Sequence, residues 1–109
     1  TAADYVAAWQ RLQALRQAYH DQTAGFDAVL VPTAPILPPN AQRLLEDQDY
    51  YVTENLLALR NTRIGNLMGT CAVTLPTDVP SCGLSLMGKP LKEEHLLRVS
   101  SAAERVLRG

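Results

Sequence analysis

The chain has 109 residues, 47% of them hydrophobic, 19% charged and 6% aromatic, with ten Lys and Arg against eleven Asp and Glu. That apolar content excludes a disordered chain, and no apolar run approaches the ~18–20 residues of a membrane span. The charges are scattered, so neither nucleic acid nor anionic lipid finds an electrostatic footprint.

A chain this short buries roughly 60–70% of the surface its unfolded form exposes, enough for one modest core, and residues 1–109 read as a single unit. Cys71 and Cys82 are too few for a disulfide framework and match no zinc spacing. The leading stretch carries Asp4, Arg11 and Arg16 in place of an apolar signal core, which points to the cytoplasm. A start at Thr1 without Met suggests processing, trimming or a fragment.

Residues 1–23 read as a long amphipathic helix. Thr1 and Asp4 form a capping box, Val6, Trp9, Leu12, Leu15 and Tyr19 share one face, and Gly25 supplies a left-handed stop. A helix this long is expected to lie across a sheet, with His20 in its last turn complementing the dipole. Ala28-Val29-Leu30-Val31 follows without alternation, which predicts a strand buried on both faces, as in a parallel sheet. Pro32, Pro35, Pro38 and Pro39 end it in an extended loop, because each proline removes a ladder donor.

Asn40 caps a short helix over residues 41–46, and residues 47–51 look irregular. Thr53 starts the next helix, with a break or close packing expected near Gly65 and a stop at Gly69. Residues 71–75, closed by Pro76, and residues 83–87 make an antiparallel hairpin. Its ends hold Cys71 and Cys82 about 13 Å or more apart, so no disulfide is expected. A last helix spans residues 92–107 with Leu96, Val99, Ala103 and Val106 as its buried stripe. The whole is α/β: a layered α/β/α arrangement with a mixed sheet, here a partial unit of one buried strand plus an antiparallel hairpin flanked by helices.

Tests for chemistry fail one after another. Gly83 to Pro90 misses the phosphate-loop pattern, since Pro90 stands where a metal-binding hydroxyl belongs and the intervening residues look like strand. Ser85 misses the nucleophile elbow, because Met87 replaces the second glycine and the serine is mid-strand. Nothing in the spacing brings Cys71 or Cys82 to His20 or His95. Glu93 and Glu94 read as first-turn acids favouring the dipole, and Gly65 to Gly69 as a close-packing helix segment. No catalytic residue, metal ligand or cofactor site emerges.

Three stretches carry a resemblance. Asp27 to Pro35 resembles the strand and loop "DxLLxPTxP" of amidase signature hydrolases. Arg60 to Pro76 resembles that family's "N-T…N-L-x-G-x-x-A-x-S-L-P" segment. Gly83 to Pro90, with Glu94, Leu96 and Leu97, resembles its "G-L-Q-L-[IM]-G-x-P…E…L-L" ending. The resemblance covers nearly the whole chain, but only the C-terminal portion of such an enzyme.

It implies hydrolysis of a C–N amide bond by a serine activated through a second serine and a lysine, all upstream of the matched segments. There is no Gly-Gly-Ser-Ser run here, and the lone lysines, Lys89 and Lys92, fall in the wrong motif, so no catalytic residue carries over. A pocket wall does: Asn61 and Thr62 match a segment that approaches substrate in the family, and Asn66 resembles its nearly fixed helix asparagine. Where glutamine-binding relatives place an acid, Leu59 or Asn61 stands, which disfavours an acid-dependent amino-acid substrate. Capping and bonding to nearby backbone is the other reading of Asn61, Thr62 and Asn66.

These features predict the C-terminal part of an amidase-type hydrolase, supplying sheet strands and pocket wall without the Ser-Ser-Lys set. The full-length parent would act on a small amide, with no nucleic acid or membrane partner. An exposed sheet edge or helix face predicts self-association. The alternative is a free-standing, non-catalytic interaction module built on the same half-fold.

Overall fold

The computed structural model describes residues 1–108, which form five helices and three strands. In chain order they are α1 (Ala2–Thr23), β1 (Val29–Pro32), α2 (Ala41–Glu46), α3 (Gln48–Ala58), α4 (Arg60–Met68), β2 (Cys71–Pro76), β3 (Gly83–Gly88) and α5 (Glu93–Leu107). The sheet order is β1-β3-β2, and β3 pairs antiparallel with both neighbours.

The hairpin stands as the turn residues predict. The direction of β1 does not: it runs antiparallel to β3, with Val29 opposite Met87 and Val31 opposite Ser85. Nor is it buried on both faces, since Leu30 is 58% exposed. An unbroken aliphatic run reports apolar surroundings, whereas strand direction is set by the partner across the ladder. β1 and β2 point the same way, with β3 between them.

Side chains alternate across the sheet and define its layers. On one face Leu86 and Leu75 meet Leu96 of α5, with Cys71, Val73, Val99, Ala103 and Leu107 packed around them. Gly88 allows the helix to sit this close, because a Cβ there would stand 3.2 Å from Leu96 Cβ and Cδ1. Of the expected stripe of α5, Leu96, Val99 and Ala103 pack on the sheet, whereas Val106 is 81% exposed and Ser100, at 3%, is buried instead. On the opposite face Met87 lies under Gly65 of α4, whose missing side chain admits the methionine thioether.

The helix boundaries follow local chemistry. Thr1 and Asp4 close the capping box on α1. α1 ends at Ala24 in right-handed geometry, so Gly25 is not a left-handed stop. Asn40 caps α2 by accepting from the Arg43 amide. The stretch expected to be irregular is helix: Asp47 accepts from the Tyr50 amide and starts α3. The break between α3 and α4 falls at Leu59, not Gly65, and Gly69 ends α4 at φ 69°. There the Gly69 and Thr70 amides both turn back to the Gly65 carbonyl.

α1 does not lie along the sheet. Its C-terminal half docks on the end of α4, where Arg16 Nε donates to the Leu67 carbonyl at 2.6 Å. His20 Nε2 stands 3.2 Å from the Met68 carbonyl. These are two of the carbonyls a helix end leaves unpaired, so His20 serves the end of α4. Partial burial pushes the neighbouring Tyr19 phenol above its usual range.

The assembly is a slab of 49 × 41 × 18 Å with a radius of gyration of 16.9 Å. A closed domain of this length has about 13 Å. Val6, Trp9, Leu15, Leu56, Ile64 and Leu67 are all more than 40% exposed. The core is real but thin.

Candidate functional site

The register of three strands brings three hydroxyls into a row. Val31 and Thr74 both face Ser85 across the ladder, and Thr33 follows β1 with its amide donating to the Gly83 carbonyl at 2.9 Å. Ser85 Oγ therefore lies 2.8 Å from Thr33 Oγ1 and 2.9 Å from Thr74 Oγ1. Ser85 is 3% exposed. Gly83 leaves room for the row, since a Cβ there would come within 2.9 Å of Thr33 Oγ1.

Beyond the row opens a groove of ≈460 Å³. The Pro32–Leu37 segment forms one wall, and Thr74 with the Ser81–Gly83 segment forms the other. No charged side chain lines it. Its proline-rich wall is held at its root by Asn61, whose Nδ2 donates to the Pro32 carbonyl at 2.7 Å. Of the other two residues expected at a pocket, Thr62 donates to the Leu59 carbonyl at 3.3 Å, a local bond within the helix turn, and Asn66 is exposed. The structure thus brings Asn61 to the groove wall but leaves Thr62 and Asn66 farther along α4.

Ser85 has no base. His95 belongs to α5 on the opposite face of the sheet, where its Nε2 lies 2.9 Å from Asp27 Oδ1. A second concavity of ≈390 Å³ surrounds that pair, with Phe26, Lys89 and Lys92 on its walls. Lys89 is already spent on the Ala24 carbonyl at 3.0 Å. A serine flanked by two neutral hydroxyls gains no nucleophilicity from them, since activation needs an adjacent base or a lowered pKa. Cys71 and Cys82 are both free thiols at opposite ends of the hairpin. Residues 83–88 are strand, so the glycine-lysine stretch is no phosphate loop.

Sequence reasoning passed over Thr33, Thr74 and the groove. The usable signal was the pairing of two strand ends, Pro32-Thr33 and Gly83-Leu84-Ser85, each with a small hydroxyl residue within two positions of a Pro or Gly. Among the described residues no helix is long and apolar enough to cross a membrane.

Comparison with known proteins identifies the family. The family model described as Amidase matches residues 1–97. The chain is 36% identical to a fatty acid amide hydrolase of Oryza sativa subsp. indica over 115 aligned positions, covering 97% of this chain and 18% of that protein. It is 35% identical to the 2-amino-5-chloromuconic acid deaminase of Comamonas testosteroni, covering 74% of this chain and 18% of the relative. With a glutamyl-tRNA(Gln) amidotransferase subunit of Saccharolobus solfataricus the identity is 38%, over 73% of this chain and 16% of the relative. No solved structure matches significantly. The chain spans less than a fifth of the length of these curated relatives. The match over residues 1–97 covers most of the chain, and the chain belongs to the amidase family.

Proposed function

We propose that residues 1–109 are the strand-and-wall portion of an amidase-type hydrolase. Its C–N bond cleavage would be carried out by a Ser-Ser-Lys set outside this stretch. The observation that carries the reading is Ser85: a buried serine in an amidase-family chain whose hydroxyl meets only Thr33 and Thr74. An acyl-transfer enzyme needs a nucleophile, a base and oxyanion donors together, and the described residues bring no such set to Ser85. The open slab and its exposed apolar helix faces fit a unit that is completed by further chain. Asn61 then belongs to the pocket wall through Pro32, and Thr62 and Asn66 extend that wall along α4.

Ammonia release from small neutral amides tests this. The natural full-length protein hydrolyses them, and its Ser85→Ala variant keeps kcat within about ten-fold, far from the ~10⁶-fold loss that follows removal of a catalytic nucleophile. Residues 1–109 alone release none and self-associate in sedimentation, because sheet edges and apolar faces are uncovered. Enzyme-like turnover by residues 1–109 alone, lost on Ser85→Ala, overturns the reading.

A further inference from the structure

We draw no further inference here: the strongest candidate, the concavity between the start of β1 and the first turn of α5 where His95 meets Asp27 beside Lys89 and Lys92, rests on exposed side chains at a helix N-terminus, and nothing in the structure shows what covers it.

Discussion

Gly88 of β3 faces Leu96 of α5 so closely that a Cβ on the glycine would stand 3.2 Å from both Leu96 Cβ and Cδ1, and 3.2 Å from Cys71 Sγ. Leu96 is 1% exposed and sits in the cluster that ties α5 to the sheet, so it has nowhere to retreat. Replacing glycine by alanine in a strand ordinarily gains about 0.5–1 kcal/mol of backbone entropy, whereas overpacking a filled core costs about 1–3 kcal/mol. Crowding wins here. Gly88→Ala lowers stability by about 1–2 kcal/mol in urea unfolding, while Gly25→Ala, with open space around its Cβ, is neutral or slightly stabilising.

Arg16 joins α1 to α4 through two contacts. Its Nε donates to the Leu67 carbonyl, and its guanidinium carbon lies 5.5 Å from the centre of the Trp9 ring. A charged donor on a helix-end carbonyl contributes more than a neutral one, though exposure to solvent limits the gain. Arg16→Lys keeps the charge but loses the planar guanidinium that serves both contacts. Arg16→Ala is expected to cost about 1 kcal/mol and Arg16→Lys nearly as much. Hydrogen exchange in the last turn of α4 and in residues 16–23 should accelerate together, whereas the sheet amides should not change.

Leu91 is held at φ 56° and is 88% exposed at the turn into α5. A side chain in left-handed geometry costs roughly 1–2 kcal/mol, and glycine escapes that cost at the expense of unfolded-state entropy. Since Leu91 buries almost nothing, no packing is lost. Leu91→Gly or Leu91→Asn is expected to raise the melting temperature by a few degrees, with the near-ultraviolet spectrum unchanged.

The elements that sequence made legible end on residues with a single stereochemical answer. Gly69 must turn left-handed, Pro76 cannot donate within a ladder, and Asn40 offers an oxygen to a bare helix amide. The misread elements depended on partners far along the chain. Nothing around Leu59 breaks a helix, yet the break is there, while the close packing expected near Gly65 is present because Met87 comes up beneath it. In α5 the apolar periodicity located Leu96, Val99 and Ala103, and contact with Leu75 and Leu86 added Ser100 and Leu107 in place of Val106. The hydroxyl row was hidden for the same reason. Thr33 and Thr74 lie 52 and 11 positions from Ser85 and meet it only when β3 is inserted between β1 and β2. Family resemblance, in contrast, was legible because ordered motifs survive in sequence even where their contacts are long-range.

Asp47 links acidity to the α2–α3 junction. Its carboxylate accepts from the Tyr50 amide and, at 3.3 Å, from the Arg43 guanidinium. The amide bond first, and Arg43 in support, hold its pKa below the ordinary 3.8. A depressed carboxylate pKa stabilises the folded form above the unfolded value, and that contribution disappears as pH falls through the folded value. The junction is therefore unaffected from neutrality down to about pH 4 and loosens below it. Exchange of the Tyr50 and Tyr51 amides, corrected for intrinsic rate, should speed up on acidification in that window. Asparagine caps a helix without titrating, so Asp47→Asn should keep the protection at neutral pH and abolish the acid dependence. Asp47→Ala should lose protection at every pH, and an acid transition persisting in Asp47→Asn would assign it to another carboxylate.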